Sequence, residues 1–397
     1  MLNNTISIHI CTKDNPASLA MLLHDIETLI APPKRIFVYD DSVEIRDRQR
    51  NQAALQAMTC QVVYIDELRR QAISKQLTKS STAARAYAKY AFKPFGKPVW
   101  DHAGIRAFAH LVAYATSAPG ERILFLDDDI SLMGDETYPV HTEGFTAVLE
   151  QPLAQHHLRG ASYLGRADVY LVEHLWHAQD TNPKTDHLLS VPSYCGPERA
   201  SELAGNITIG GGFLLLHRED LWQAPLAHCF NEDCIFISAL LAQGYRTELT
   251  SYQPLHRPSV ILPGIEKAAI EQNGFIVLQA ASEALEQLGT ADLTLTANYS
   301  LTLCAKYADR SIRLWRQLFA LPIIYGTINA NKNRLFHKSR VVQQAQQSLR
   351  SYFGAWHDWQ ATLDDPATSQ AILNCLVASE AAPNSTADAQ HSNNDIV

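Results

Sequence analysis

An α/β protein with a helical C-terminal region is what this sequence predicts, on three observations. Ile123-Leu124-Phe125-Leu126 is an apolar run bounded by polar residues, which suits a parallel strand covered on both faces, and it runs straight into Asp127-Asp128-Asp129. The chain opens with a strand, helix, strand rhythm whose second strand also ends in carboxylates, Asp40-Asp41. From residue 264 that rhythm stops, and the apolar spacing is helical through residue 378.

A chain of 397 residues can bury a substantial core and has room for two domains, at roughly 150 residues each. Its 46% apolar and 19% charged content is ordinary globular composition. The formal charge of −8 argues against a general nucleic-acid binder, while leaving room for a local basic patch. Seven cysteines, odd in number and without a CxxC pair, suggest reduced thiols in a cytoplasmic protein rather than a disulfide framework or zinc site. The N-terminus passes directly into a strand and lacks a signal-peptide layout. No window approaches about 20 uninterrupted apolar residues, so no membrane span is expected.

Each element has a local cause. Ile6-Ser7-Ile8-His9-Ile10-Cys11 alternates and predicts the first strand. Thr12-Lys13-Asp14-Asn15-Pro16 breaks it, and Asn15 or Ser18 can cap a helix carrying Leu19, Leu22, Leu23, Ile26 and Leu29, ended by Pro32-Pro33. Arg35 to Tyr39 is a second buried strand and Gln61 to Asp66 a third. Between Leu68 and Gly104 lies a long basic stretch, including Arg69, Arg70, Lys75 and Lys79. It reads either as a solvated helical face or as a flap offering cations to an anionic ligand. Residues 100 to 115 form an amphipathic helix with Asp101 as its cap and Arg106 within it.

Three adjacent carboxylates repel one another, so a fold that gathers them calls for a cation. All-oxygen ligation points to Mg²⁺ or Mn²⁺ rather than zinc. The end of a parallel strand is also where open α/β sheets hold their ligands. The plainer alternative is a charged turn that ends a strand and caps a helix. Farther on, residues 159–165 and 167–172 suggest strands, and Gln179 to Glu202 a loop over a cleft. Gly210-Gly211-Gly212 leads into the apolar strand Phe213 to Leu216, either to admit a ligand close to the backbone or to form a bulge. Glu232-Asp233 opens a helix carrying Ile235, Ile237, Leu240 and Leu241, stopped by Gly244. Dipole chemistry alone would account for an acidic pair there. A strand at Arg246 to Leu249 and the segment Tyr252 to His256 close this part of the chain.

The Asp40-Asp41 pair, the Leu124-Phe125-Leu126-Asp127-Asp128-Asp129 strand end, the glycine run, the Glu232-Asp233 pair and the late His256 resemble, in order and spacing, the GT-A fold glycosyltransferases, specifically the family 2-like, DxD-containing enzymes. The resemblance covers residues 5 to 260 and implies a Rossmann-like mixed sheet flanked by helices. It implies that Thr12, Lys13 and Asp14 touch the nucleotide and that Asp40 or Asp41 hydrogen-bonds the base. Gly104 and Arg106 match a G-x-x-R-N helix with tightened spacing, Ala107 standing where Asn is usual, and this makes Arg106 a nucleotide-side contact. Asp127 would meet the ribose or the ion, with Asp128 beside it on the donor. Asp129 would contact Mn²⁺ or Mg²⁺, with His256 completing the metal site and His217 or His228 as fallbacks. Gly211 and Gly212 would lie beside the donor sugar, Asp233 would be the general base, and Glu232 would help hold the acceptor.

The implied reaction moves a sugar from a nucleotide-diphosphate donor, a UDP-sugar being favoured, to a hydroxyl of a glycan, lipid-linked or other acceptor. Inversion and a place in bacterial-type glycan or glycoconjugate synthesis follow from the same resemblance. Two rival classes stay open. A sugar-nucleotidyltransferase would carry a Gly-rich loop with Arg and Lys where Thr12 to Pro16 stands, and a non-catalytic nucleotide-sugar-binding module would have lost the carboxylates.

The expected organisation is a catalytic domain at 1–262, a helical region at 263–378 and a disordered tail at 379–397. Basic residues at 306–340, among them Lys306, Arg310, Arg313, Arg316 and Lys338, surround Trp315 and Phe319 with little acidic balance. They read as stems lying over a packed helix, or as a peripheral contact with the inner face of a membrane.

Overall fold

The order of the strands decides where the candidate site falls. A computed structural model of the chain describes residues 6–29, 35–56, 58–91, 102–136, 139–165, 207, 209–256, 265–319 and 337–380. Its main sheet has seven strands: β1 (Ile6–Thr12), β2 (Arg35–Asp40), β3 (Val62–Ile65), β4 (Arg122–Asp127), β6 (His157–Gly160), β8 (Phe213–His217) and β9 (Arg246–Leu249), in the order β3-β2-β1-β4-β8-β6-β9. The first four are parallel. β8 runs against both β4 and β6, and β9 is parallel to β6. This is a mixed Rossmann-like sheet, consistent with a GT-A fold. Register sets Thr12 opposite Asp40 and Cys11 opposite Asp127, so the carboxylates of both strands reach one rim at the same level.

The helices are α1 (Pro16–Leu29), α2 (Ile45–Gln56), α3 (Glu67–Leu77), α4 (Thr82–Ala91), α5 (His102–Thr116), α6 (Glu143–Glu150) and α7 (Glu232–Leu241), followed by the C-terminal set α8 (Ile265–Leu288), α9 (Leu293–Phe319), α10 (Lys338–Asp364) and α11 (Pro366–Glu380). Strand alternation sorts the core into two layers. Ile8, Ile10, Ile36, Val38, Leu124 and Leu126 face α1 and α6, whereas Phe37, Tyr39, Ile123 and Phe125 face α5 and the C-terminal helices. His9 lies on the second face, stacked on Phe37 at 4.6 Å between ring centroids and bonded through Nδ1 to the Tyr39 hydroxyl at 2.8 Å.

The helical region expected beyond residue 264 is present and shares that second core layer. Trp356 and Trp359 of α10 are buried, and their Nε1–H groups donate to the Gln223 and Leu221 carbonyls at 2.8 Å each. α11 reaches Glu380, just past the expected boundary.

Among the described residues, the long basic stretch is ordered into α3 and α4, the helical one of its two expected readings. Of the basic residues at 306–340, Lys306 pairs with Glu283 at 2.7 Å and Lys338 with Asp309 at 2.6 Å. Leu303, Tyr307 and Ile312 of α9 are buried in the core rather than presented outward. No described helix is long and apolar enough to cross a membrane. Asp101, Cys195, the strand expected at 167–172, the loop at 179–202 and residues 381–397 lie outside the described residues.

Candidate active site

Asp127 is the last residue of β4, and its N–H donates to the Gly212 carbonyl at 3.1 Å. Asp128 and Asp129 form the turn into the short strand β5 (Ile130–Ser131). β5 belongs to a second, three-stranded sheet with β10 (Leu255–His256) and β7 (Leu164–Gly165), in which His256 lies opposite Ile130. That pairing sets His256 Nε2 3.3 Å from Asp129 Oδ2. The other Asp129 oxygen, Oδ1, is buried without a hydrogen-bond partner among the described residues.

The triplet divides its tasks. Asp128 Oδ2 accepts from the Thr12 hydroxyl at 2.6 Å, which ties β4 to the end of β1. Asp127 pairs through Oδ1 with Nη2 of Arg106, a buried arginine on α5. Nη1 of Arg106 is 3.2 Å from Glu232 Oε1 and 3.8 Å from Asp233 Oδ2. Burial opposes the charge of this guanidinium, yet Asp127, Glu232 and Asp233 together hold its pKa well above the ordinary range. Asp233 is fixed at the first turn of α7, where its Oδ2 accepts from Gly211 N–H at 2.6 Å and its Oδ1 from Cys234 N–H at 2.8 Å. The turn before it needs left-handed backbone at Asn231 (φ 64°), a residue type that tolerates that region.

The glycine run is required by close approach. A Cβ on Gly211 would fall 2.5 Å from Arg106 Nη1 and 2.7 Å from Asp233 Cβ; one on Gly212 would fall 2.5 Å from Asp127 Oδ2 and 2.9 Å from the Tyr163 hydroxyl. The two glycines thus let β8 pass directly under the carboxylates.

The carboxylates at the ends of β1 and β2 are arranged differently. Asp40 is buried and accepts from Ser42 N–H (2.8 Å), Asn51 Nδ2 (2.9 Å) and the Tyr64 hydroxyl (2.5 Å), so it braces β2, α2 and β3. Asp41 stands at the rim between Lys13 Nζ at 3.6 Å and Arg70 Nη2 at 2.8 Å. Asp14, at φ 50°, accepts from Val43 N–H at 2.8 Å and donates its own N–H to the Ser42 hydroxyl, bracing the two loops against each other.

The expected residues fall into these two clusters, Thr12 linking them. His217 is at the opposite end of β4, paired in register with Arg122, and His228 packs on Tyr90 at 4.4 Å between centroids, so neither fallback lies beside Asp129. Among the described residues no three His, Cys, Asp or Glu side chains converge to hold a metal ion on their own. Arg70 and Tyr163 were not singled out from sequence. Arg70 was one of several basic residues in a helical stretch, and nothing local distinguishes Tyr163.

No protein family matches the chain, and no curated protein matches it. Among solved structures, glucosyl-3-phosphoglycerate synthase from Mycobacterium tuberculosis in complex with phosphoglyceric acid aligns with 73% of this chain and 82% of its own, at 15% identity and a TM-score of 0.42. Its complex with Mn²⁺, uridine diphosphate and phosphoglyceric acid aligns with 73% and 80%, at 16% identity and a TM-score of 0.41. A mycobacterial protein aligns with 73% and 76%, at 17% identity and a TM-score of 0.40. At scores of this size the fold assignment rests on the strand order and register above.

Proposed function

We propose that this protein is a metal-dependent, family 2-like glycosyltransferase that moves a sugar from a nucleoside-diphosphate donor, a UDP-sugar being favoured, to an acceptor hydroxyl. The observation that carries the reading is a charge imbalance. Asp127, Glu232 and Asp233 share one guanidinium, Arg106, while Asp128 is held by the Thr12 hydroxyl and Asp129, beside His256, keeps a buried oxygen without a hydrogen-bond partner among the described residues. Such a crowd of carboxylates favours a bound cation.

The residues present fit a divalent ion that arrives with a diphosphate. A carboxylate oxygen and an imidazole suit Mn²⁺, and Mg²⁺ or Mn²⁺ sites of this kind need one or two protein groups, with phosphate oxygens and water filling the rest. Asp129 and His256 would hold it, while Asp127 is directed to Arg106. When bound, the ion would offset the charge growing on the diphosphate leaving group.

The chain's own residues do the remainder. Asp233, oriented by two backbone N–H groups, takes the proton of the acceptor hydroxyl as it attacks. Arg106 stands 3.8 Å from Asp233 Oδ2, and Glu232 steadies Arg106. Asp41, with Arg70 and Lys13, offers both acceptor and donors at the rim for the nucleotide. One base opposite the leaving group implies single displacement with inversion.

The nucleotidyltransferase alternative lacks support in the Thr12 to Pro16 loop, which has no glycine. Incubating the protein with UDP-hexoses, Mn²⁺ and candidate hydroxyl acceptors, and measuring UDP release, tests the assignment. Asp233→Asn is expected to retain donor binding and to lose turnover by roughly a thousandfold. Equal turnover in wild type and variant would remove Asp233 from its role.

A further inference from the structure

One side chain in the cleft has no task in the reaction as drawn so far. Tyr163 lies between β6 and β7 and is 6% exposed, and its hydroxyl is buried without a hydrogen-bond partner among the described residues. An unpaired phenol is costly in a folded protein, so its retention calls for an explanation. The ring sits against His256, at 5.4 Å between centroids. The hydroxyl lies over the glycine run, 2.9 Å from where a Cβ of Gly212 would stand and 3.9 Å from where one of Gly210 would stand. A tyrosine hydroxyl is un-ionised near neutral pH, so it is available as a hydrogen-bond donor.

We propose that Tyr163 donates a hydrogen bond to a hydroxyl oxygen of the sugar carried on the donor diphosphate, making it a residue that distinguishes the nucleotide sugar from the bare nucleotide. This rests on the glycosyltransferase reading above. Position favours a sugar oxygen over a phosphate oxygen: the hydroxyl is near Asp127 and Gly212, next to the proposed base, whereas the nucleotide-side cluster of Asp41, Lys13 and Arg70 is carried by the loops after β1 and β2 and by α3.

Calorimetric titration of UDP, UDP-glucose, UDP-galactose and UDP-N-acetylglucosamine with Mn²⁺, on wild type and Tyr163→Phe, tests the proposal. The variant is expected to bind UDP as wild type does and to bind the preferred UDP-hexose about fivefold to tenfold more weakly. Its thermal midpoint is expected to be unchanged, since only an unpaired hydroxyl is removed. Unchanged UDP-hexose affinity, or an equal loss for UDP itself, overturns the proposal, and so does a lowered midpoint, which would mean that the hydroxyl is already partnered in the free protein. If wild type binds UDP but none of the UDP-hexoses, the sugar contact is overturned while the nucleotide site stands. If wild type binds none of the four, the glycosyltransferase reading itself falls.

Discussion

At the β1–β2 side of the rim, Asp40 receives three hydrogen bonds and Asp41 sits between two cations. At the β4 side, Asp127, Glu232 and Asp233 share Arg106, and Asp129 keeps a buried oxygen unpartnered among the described residues. Asp40 and Asp127 both end strands of one sheet at nearly one level, and the first turn of α7 adds Glu232 and Asp233 to the β4 side. The first set is neutralised by the fold itself, and its loss should be felt as instability. The second carries unbalanced charge, and its loss should be felt in binding. Burial does not separate the two, since both are shielded; the partners do.

The largest expected effect is at Asp40. Asp40→Ala leaves Ser42 N–H, Asn51 and Tyr64 without their acceptor, and unfolding in urea should show a loss of about 3–5 kcal/mol. A loss below about 1 kcal/mol would mean that its three donors do not need Asp40 and would erase the distinction.

Beneath the β4 side, the wall between β1, β4 and α5 holds two buried histidines. Burial pushes the His9 pKa well below its ordinary value; burial, followed by the nearby Arg106, pushes His110 down to about 3. Both titrate near 6.5 when unfolded, so in acid the unfolded chain binds protons that the fold refuses. Stability is therefore full above about pH 6.5 and falls in acid, for His110 by on the order of 1.4 kcal/mol per pH unit as pH drops toward 3, with His9 acting in the same direction. His110→Leu should lower that slope by about one histidine's share in urea unfolding at pH 7, 6 and 5; an unchanged slope would contradict it.

The smallest effect has the opposite sign from the first. Asp129→Asn removes one charge from the crowded side, so without metal the unfolding free energy should stay level or rise by up to about 1 kcal/mol. A loss exceeding about 2 kcal/mol would make the His256–Asp129 contact structural.

The strands were readable because Ile123 to Leu126 and Ile36 to Tyr39 are apolar runs with polar ends, a pattern that needs no tertiary knowledge. The choice between Asp40 and Asp41 was not readable. It depends on Asn51 of α2 and Tyr64 of β3 closing on one carboxylate and Arg70 of α3 closing on the other. His256 was reached by resemblance alone, because the strands of the small sheet that carries it, two residues each, are too short to show a period. Tyr163 lies in an irregular link between two strands, and its burial against His256 arises only once that sheet has formed.

The most direct test is calorimetric titration of UDP into wild type and Asp129→Ala, each with Mn²⁺ and with EDTA. The expected result is Mn²⁺-dependent UDP binding by wild type, abolished by EDTA and lost in the variant. UDP binding of equal strength in all four conditions, or in none, would contradict the assignment of Asp129 and the charge imbalance around it to a metal-held diphosphate.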